Sequence, residues 1–312
     1  MKKWTIFFIT LLFATMVYAS DDKPRIGVAW IEKSTETYDA VCQVIRKAGG
    51  TPVVLDQVLS PDLEYDKNGL LVNASDFHGA LSAEAAKPIR CNTWQGSNVE
   101  KVMDGISAVI FPGGKDISPS LYYEPQSSED REPYCAERDV SDYLLISYCL
   151  EHDVPILCIC RGMQLLSIVS GAQMIKDIKT EMETKRIDYD FSHRNEPEEP
   201  DAYRDFAFHD VTVTDHASLL YRLTGSAILR NVPSWHHQAV RSVDGTRLKI
   251  TASTETQGEE IIEAVERPDK SFALGLQFHP EIAVVRGLDE DSIVYFTALV
   301  NAAKENTYLN AA

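Results

Sequence analysis

The chain has 312 residues, of which 44% are hydrophobic, and this is enough for one large α/β domain or two small ones. Its formal net charge of −17 argues against nucleic acid and anionic membranes as partners, because both attract clustered Lys and Arg. A small-molecule substrate fits this charge better.

The first 19 residues have the pattern of a secretory signal peptide. Two lysines precede an apolar run over residues 4–17, and Ala19 ends a small-residue cleavage site. The run is shorter than the roughly 20 apolar residues that a membrane-spanning helix needs, which argues against the alternative of an anchor. We therefore expect residues 20–312 to be exported, to a periplasm or the medium, as a single domain without stable membrane association.

Short apolar runs rich in β-branched residues alternate with segments of helical period in the first half of the chain. This alternation predicts an α/β fold with a mostly parallel sheet and helices on both faces. Residues 60–100 lack a clear period and are predicted to be an insertion or an enlarged loop around the site. Strands are predicted over residues 25–30, 51–55, 108–111 and 155–159, and helices over residues 37–47 and 138–152.

The second half is predicted to be rich in strands and to end in a helix. The acidic run over residues 196–201 contains two prolines, so it is predicted to be a solvated loop, with a calcium site as the alternative. Strands are predicted over residues 209–213, 248–252, 261–265 and 273–278, and the C-terminal helix over residues 292–303.

The cysteines are too widely spread for the dense disulfide framework of a small secreted protein. Cys158 and Cys160 lie in one strand-like run and point to opposite faces, which argues against a bridge between them. Pairing among the other four stays open: Cys42, Cys91, Cys135 and Cys149.

Residues 156–166 are typical of a nucleophile elbow, in which a strand, a sharp turn and a helix follow one another. The apolar strand runs directly into Cys160, and the turn presents the thiol at a helix N-terminus, where the helix dipole stabilises a thiolate. The backbone N–H of Arg161 is expected to face a developing oxyanion. Gly162 is expected to be small because a side chain there would collide with the neighbouring strand. A buried structural cysteine is the alternative interpretation.

A second segment, residues 275–281, supplies the base that a cysteine nucleophile requires. A predicted strand ends at His279, and Pro280 is expected to turn the chain so that Glu281 can orient the imidazole. Nucleophile, base and orienting carboxylate are the minimum set for acyl transfer through a thioester. Taken alone, a histidine at a strand end is more often a surface residue, and this is the alternative interpretation of His279.

The runs 160–164 and 278–281 together resemble the class I glutamine-amidotransferase superfamily, specifically its peptidase C26 branch, typified by γ-glutamyl-γ-aminobutyrate hydrolase. A Gly-Gly-x-Asp loop at residues 113–122 and a Ser-x-His-His-Gln-Ala segment at residues 234–240 resemble the same branch. The resemblance extends from Arg25 to the C-terminus. It implies a flavodoxin-like, class I glutamine amidotransferase-like fold and hydrolysis of a small γ-glutamyl substrate without a cofactor.

The resemblance also implies roles for individual residues. The catalytic triad is expected to be Cys160, His279 and Glu281, and the oxyanion donors are expected to be the N–H groups of Gly114 and Arg161. The guanidinium of Arg161 is free to pair with a substrate carboxylate or with Asp139 or Glu137, and both alternatives stay open. Substrate binding is expected from Gly113, Gln164, His236, His237 and Gln238.

Two histidines in a row also raise the alternative of a metal site. Because no cysteine, aspartate or third histidine stands at ligand spacing from His236 and His237, we predict no metal there.

The leading functional hypothesis is hydrolysis of a γ-glutamyl amide similar to γ-glutamyl-GABA. The alternatives are a hydrolase of folyl or peptide poly-γ-glutamate, and a non-catalytic sensor of γ-glutamyl compounds that has kept the fold. Retention of all three triad residues argues against the sensor, since binding alone does not require them. The leaving amine stays open, as does the oligomeric state, for which a homo-oligomer is compatible with the sequence.

Overall fold

The structure is a computed structural model that describes residues 23–31, 33–76, 78–92, 94–122, 133–195 and 205–311. The predicted signal peptide and the acidic run lie outside these residues. None of the helices within these residues has the length and apolar character of a membrane span. All six cysteines are described, and none of them is in a disulfide.

The described residues form one eleven-stranded sheet with helices around it. The strands are β1 (Arg25–Val28), β2 (Thr51–Val54), β3 (Ala108–Phe111), β4 (Ile156–Ile159), β5 (Gln173–Ile175), β6 (Ala207–Val213), β7 (Ile228–Ser234), β8 (Ala239–Ser242), β9 (Lys249–Thr256), β10 (Glu259–Glu266) and β11 (Ala273–Leu276). The helices are α1 (Glu36–Lys47), α2 (Ala83–Asn92), α3 (Val99–Val102), α4 (Ala136–Glu151), α5 (Arg161–Val169), α6 (Ile178–Thr184), α7 (Leu219–Thr224), α8 (Pro280–Val285) and α9 (Ile293–Ala311). Two 3₁₀ turns lie at Pro119–Leu121 and Glu290–Ser292.

Five parallel strands form one half of the sheet, in the order β2–β1–β3–β4–β11, with β2 at the edge. Their side chains alternate between two apolar clusters, one on each face. Helices α2, α4 and α5 cover the face that carries Val109 and Cys158, whereas α1 and α9 cover the face that carries Ile110 and Leu157. The predicted α/β fold with helices on both faces is therefore confirmed.

The second half of the chain extends this sheet with antiparallel strands. Strand β10 pairs with β11 on one side and β9 on the other, and β6 and β7 continue from β9. Strands β5 and β8 branch from β10. The predicted strand-rich second half is confirmed, although the short strands β5 and β8 and the strand β7 were not predicted.

Helix α1 shows how local sequence and burial agree. The Thr35 hydroxyl accepts a hydrogen bond from the Tyr38 N–H and caps the helix, and Val41, Val44 and Ile45 form its buried stripe. Because α1 follows the parallel strand β1, the start of this helix lies at the edge of the sheet where the parallel strands end. This edge is where open α/β sheets bind their ligands.

The stretch over residues 60–100 contains more regular structure than a loop. Helix α2 lies inside it, and Ile89 is fully buried against the cluster that includes α4. Pro88 lies within the helix and interrupts the pattern typical of helices, so the sequence of this segment shows no clear helical period. The helix packs beside the loop that follows β3, where Arg90 donates a hydrogen bond to the carbonyl of Ser120.

Candidate active site

Cys160 occupies a strained turn between β4 and α5. Its φ of 51° and ψ of −107° lie in a region that non-glycine residues rarely adopt, at a strain of about 1–3 kcal/mol. Its N–H donates a hydrogen bond of 2.7 Å to the carbonyl of Leu276 in β11, which ties the turn to the neighbouring strand. A Cβ on Gly162 would lie 2.2 Å from the carbonyl oxygen of Phe111, so the predicted collision with a neighbouring strand is confirmed.

His279 and Glu281 follow β11, at the same edge of the sheet. His279 is the residue before α8, and Pro280 begins that helix rather than forming an isolated turn. The Nδ1 atom of His279 lies 2.7 Å from Oε1 of Glu281, and both side chains are buried. Because a carboxylate only accepts, Nδ1 carries a proton, and Nε2 faces Cys160.

The charge state of His279 follows from these neighbours. Burial alone would lower the pKa of the imidazole, but the negative charges of Glu281 and Cys160 outweigh burial and raise this pKa to about 10. The imidazole is therefore held in its protonated form near neutral pH when the thiol is ionised.

The loop that follows β3 is held by Arg138 from α4. The guanidinium donates hydrogen bonds to the carbonyls of Pro112, at 2.8 Å, and Gly113, at 3.1 Å. In a trans peptide the C=O and the next N–H point in opposite directions, so the N–H of Gly114 points away from Arg138. Gly114 has φ +151°, and a Cβ there would lie 2.1 Å from Nη1 of Arg138. Gly113 is equally constrained, because a Cβ on it would lie 2.8 Å from Cε1 of His279.

The Arg161 side chain points away from any substrate. Its two terminal nitrogens lie 2.6 Å from carboxylate oxygens of Asp139 and Asp142, and the side chain is 2% exposed. Glu137, the other acidic partner considered from the sequence, instead accepts a hydrogen bond from the N–H of Leu71. Of the alternatives for the guanidinium, pairing with Asp139 is confirmed. Because the guanidinium is paired with Asp139 and Asp142, the backbone N–H is the group of Arg161 that remains to face a substrate at the elbow.

Asp142 joins Arg161 to Arg138. Its Oδ2 atom lies 2.6 Å from Arg161 and 3.2 Å from Nε of Arg138. Burial, followed by the positive charge of Arg161, lowers the pKa of Arg138 to about 10, so the guanidinium stays charged at neutral pH. The elbow and the loop after β3 are thus held in register by one buried ion-pair network.

A cavity of about 210 Å³ opens above the thiol. Phe206 and Trp235 form its aromatic wall, and the Phe206 ring stacks edge-on against His279 at 5.2 Å between centroids. The start of α1 also lines the cavity. The complete lining is Thr35, Glu36, Thr37, Gly114, Cys160, Phe206, Trp235 and His279.

Several residues expected to bind substrate do not line this cavity. Gln164 is buried and donates a hydrogen bond of 3.1 Å to the carbonyl of Gln238. His236 is also buried, and its Nε2 atom points towards Glu263. The side chain of Gln238 is buried as well, and none of the three residues is part of the cavity wall described above.

His237 bridges two carboxylates. Its Nδ1 atom lies 2.9 Å from Asp177 and its Nε2 atom lies 2.9 Å from Asp116. Burial would lower the pKa of His237, but the negative charges of Asp116 and Asp177 raise it to about 9. The protonated imidazole therefore fastens the loop after β3 to the start of α6, and its ring nitrogens are occupied.

The aromatic wall was not predicted. Trp235 is 39% exposed within the motif of residues 234–240, and such an exposed tryptophan beside a motif is a usable signal for a binding surface. Phe206 lies in no recognisable motif, and only the fold brings it to His279.

Comparison with known proteins agrees with this geometry. Residues 74–281 match the family model of peptidase C26. Protein NtpR of Enterococcus hirae is 31% identical over 228 residues, which cover 73% of this chain and 88% of that protein. A γ-glutamyl-γ-aminobutyrate hydrolase of Escherichia coli O157:H7 is 31% identical over 212 residues, covering 68% of this chain and 75% of the hydrolase.

Solved structures show the same fold at low identity. A protein from Thermoplasma acidophilum described as a putative GMP synthase component superimposes with a TM-score of 0.52 at 14% identity, covering 93% of this chain and 98% of that one. The glutaminase domain of Trypanosoma brucei CTPS gives a TM-score of 0.51 at 17% identity, covering 90% and 94% of the two chains. With the family match and the relatives above, these likenesses show that the chain belongs to the peptidase C26 family and has the class I glutamine amidotransferase fold.

Proposed function

We propose that the chain hydrolyses γ-glutamyl amides through a thioester on Cys160, with His279 and Glu281 completing a catalytic triad. The observation that carries this proposal is the convergence of the strained Cys160 turn and the Glu281-bound imidazole of His279 on one cavity. The substrate class is supported by relatives at about 30% identity that are named γ-glutamyl-γ-aminobutyrate hydrolase.

The first half-reaction forms the thioester. The Cys160 thiolate attacks the δ-carbonyl carbon of the γ-glutamyl group, and the carbonyl π electrons move onto oxygen. The resulting oxyanion accepts hydrogen bonds from the N–H groups of Gly114 and Arg161. As the tetrahedral intermediate collapses, the C–N bond breaks and the protonated imidazole of His279 gives its proton to the leaving amine.

The second half-reaction releases glutamate. The imidazole, now neutral at Nε2, takes a proton from water, and the hydroxide attacks the thioester carbon. Collapse of the second tetrahedral intermediate breaks the C–S bond and restores the thiolate beside a protonated His279. Glu281 accepts the hydrogen bond from Nδ1–H throughout, with 2.7 Å between Nδ1 and Oε1. This bond keeps Nε2 directed at the thiol and the substrate.

Arg138 is proposed to act as a positioning residue for the oxyanion hole. Its hydrogen bonds to the carbonyls of Pro112 and Gly113 fix the direction of the Gly114 N–H before substrate binds. Preorganised donors of this kind need no rearrangement in the transition state, and this is the source of their catalytic effect.

The test is glutamate release from γ-glutamyl-GABA, γ-glutamyl-p-nitroanilide and a di-γ-glutamate peptide. We expect at least one of them to be cleaved and Cys160→Ala to lower kcat by roughly 10⁴-fold or more. Cys91→Ala is the control, because Cys91 is an exposed thiol that does not line the cavity. A folded wild-type protein that releases glutamate from none of the three would refute the substrate class and favour the non-catalytic sensor.

Alkylation tests the nucleophile independently of the substrate. Iodoacetamide should modify Cys160 at a rate that falls when His279→Ala removes the imidazole, whereas modification of Cys91 should be unchanged. Equal rates at Cys160 in both proteins would contradict an activated thiolate.

A further inference from the structure

Four ionisable side chains meet inside the protein, away from the catalytic cavity. They are His193, His209, His236 and Glu263, and we call them the His₃Glu cluster. Their potential ligand atoms all lie within 4.8 Å of one another. Oε1 of Glu263 lies 3.2 Å from Nδ1 of His193, 3.7 Å from Nε2 of His209 and 3.6 Å from Nε2 of His236.

The facing atoms of the cluster have no hydrogen bonds within the part of the chain that the structure describes. The atoms concerned are Nδ1 of His193, Nε2 of His209, Nε2 of His236 and both carboxylate oxygens of Glu263. Glu263 and His193 are fully buried, and the His209 side chain is 8% exposed. Leaving one buried polar group unsatisfied costs about 1–3 kcal/mol, and the 3.2 Å contact between Nδ1 of His193 and Oε1 of Glu263 offsets only part of this cost for the cluster.

The outer ring nitrogens of the histidines are already hydrogen-bonded. Nδ1 of His209 lies 3.3 Å from the carbonyl of Asp210, and Nδ1 of His236 lies 2.9 Å from the carbonyl of Gln238. A carbonyl can only accept, so each Nδ1 carries a proton and each neutral ring directs its Nε2 lone pair into the cluster. Outer hydrogen bonds that fix the tautomer in this way are typical of histidines that bind metals.

The third histidine has an equivalent outer contact. Nε2 of His193 lies 2.8 Å from the hydroxyl of Thr256. When this nitrogen donates to the hydroxyl, the Nδ1 lone pair also faces Glu263. Three lone pairs and one carboxylate then surround a single point, and a cation there satisfies all four groups.

Strand irregularities direct two of the ligands. The register between β9 and β10 shifts at Glu263, and the register between β6 and β7 shifts directly after His209. Shifts of this kind turn a side chain away from the regular alternation of a strand, and they are frequent next to functional sites. Two such shifts aimed at the same point indicate a built site.

The dimensions of the cluster fit a small divalent transition metal. With metal–ligand distances near 2.0–2.1 Å, the ligand atoms of a tetrahedral zinc site lie about 3.3 Å apart. The separations of 3.2, 3.6 and 3.7 Å from Glu263 are close to this value. The ligand atoms of the whole cluster spread over up to 4.8 Å, so the imidazoles would have to move inwards around a bound ion. The two longer ones exceed a hydrogen-bond distance, so direct hydrogen bonds from protonated histidines to Glu263 do not explain them.

We propose that His193, His209, His236 and Glu263 form a structural binding site for one divalent transition-metal ion, of which zinc is the best fit. Four protein ligands and almost complete burial leave no position open for a substrate, as in structural rather than catalytic zinc sites. The ion would join β6, β10 and the segments that hold His193 and His236. The neighbouring Trp235 forms part of the cavity wall, so the site would stabilise that wall without taking part in the chemistry.

The experiment is done in the Cys160→Ala protein without a polyhistidine tag, so that neither the active-site thiol nor a tag binds metal. Elemental analysis of the purified protein should find one transition-metal ion per chain. After removal with a chelator, Co²⁺ should restore one equivalent with the visible absorption of a tetrahedral site, and Zn²⁺ should displace it and raise Tm. None of these readouts requires activity, so failure here is separate from failure of the proposed hydrolase function.

Variants locate the ion. Glu263→Gln and His209→Asn should abolish stoichiometric binding, whereas His216→Asn, at an exposed histidine stacked on Tyr221, should leave it unchanged. Thr256→Val keeps all four ligands and removes an outer contact, so it should weaken Zn²⁺ binding roughly 10- to 100-fold and serves if the ligand variants do not fold.

Two results would overturn the proposal. One is a folded Cys160→Ala protein that binds neither Zn²⁺ nor Co²⁺ and shows no change in Tm. The other is unchanged Zn²⁺ affinity in folded Glu263→Gln or in Thr256→Val, which would place any bound ion elsewhere.

Discussion

Replacing Gly162 by alanine tests whether contact between α5 and β3 fixes the position of the nucleophile. The new Cβ would lie 2.2 Å from the carbonyl oxygen of Phe111 and 2.9 Å from its Cβ. Neither contact involves a side-chain end that can rotate away. The start of α5 or the end of β3 must therefore move by about 1 Å to reach an ordinary van der Waals separation.

Two opposing effects set the magnitude of this change in stability. Alanine is a better helix former than glycine and would stabilise an unobstructed helix position by up to about 1 kcal/mol. Overpacking a rigid interior costs about 1–3 kcal/mol, and here the obstruction is backbone, which places the cost at the upper end. We expect Gly162→Ala to lower the free energy of unfolding by about 2 kcal/mol.

The effect on catalysis should be larger than the effect on stability. Cys160 lies two residues before the substitution, and a displacement of about 1 Å between reacting groups can lower the rate about 100-fold. Urea denaturation gives the change in stability, and kcat/KM for the best γ-glutamyl substrate gives the catalytic effect.

Gly258→Ala is the matched control. Gly258 has φ +85° in the turn between β9 and β10, with no atom within 4 Å of a new Cβ. The strained backbone should reduce stability by about 1 kcal/mol while kcat/KM stays at the wild-type value. If Gly162→Ala kept wild-type stability and kcat/KM, the idea that this contact positions the thiol would be wrong.

Three further variants probe the surrounding charges. Glu281→Gln should lower kcat by roughly 10³- to 10⁴-fold with little change in KM, because the amide cannot hold the imidazole in the required tautomer and charge state; steady-state kinetics measure this. Arg138→Lys should lower kcat by roughly 10²-fold because an ammonium cannot hold both loop carbonyls, and unchanged kcat would remove Arg138 from the oxyanion hole. His237→Gln tests the bridge to Asp116 and Asp177: since the folded-state pKa of His237 is raised to about 9, its stabilisation is complete below its ordinary pKa of 6.5 and is lost as the pH rises through about 9. The variant should therefore be less stable than wild type by up to about 3 kcal/mol near pH 6 and by much less above about pH 9.5 in urea denaturation, and a difference independent of pH would contradict the charged bridge.

The local motifs allowed the centre of the site to be predicted. Cys160 and His279 each follow a short apolar run, and parallel strands have their carboxyl ends at the same edge of a sheet. The register of β4 against β11, with Ile159 opposite Leu276, then brings both residues to the same end of two neighbouring strands. Strand, turn and helix signals close to each residue were sufficient because the remaining geometry follows from the parallel sheet.

The surroundings of the site could not be predicted because they depend on contacts between distant segments. Phe206 and Trp235 reach His279 only after the antiparallel strands have assembled. Similarly, the argument against a metal relied on ligand spacing along the sequence. His193 and His209 come from outside the His-His-Gln segment, and strand pairing brings them to His236 and Glu263.

Polar residues in a motif can serve the substrate, the interior of the protein, or both. Gln164, His236 and Gln238 are buried, and a buried polar group must be satisfied by its neighbours whether or not it also meets a ligand. Sequence identifies such residues as chemically constrained, but the constraint can be internal. For Arg161 the buried carboxylates of Asp139 and Asp142 meet this requirement.

The geometry of the triad depends on the antiparallel half of the chain as much as on the parallel half. The N–H of His279 donates to the carbonyl of Pro233 in β7, and the N–H of Gln277 donates to the carbonyl of Glu263 in β10. The backbone around the proposed catalytic base is therefore bonded on two sides to segments that also carry the His₃Glu cluster. His236 lies three residues after Pro233, so an ion in the cluster would restrain both attachments at once. This arrangement gives a physical reason for a buried structural site next to the proposed catalytic centre.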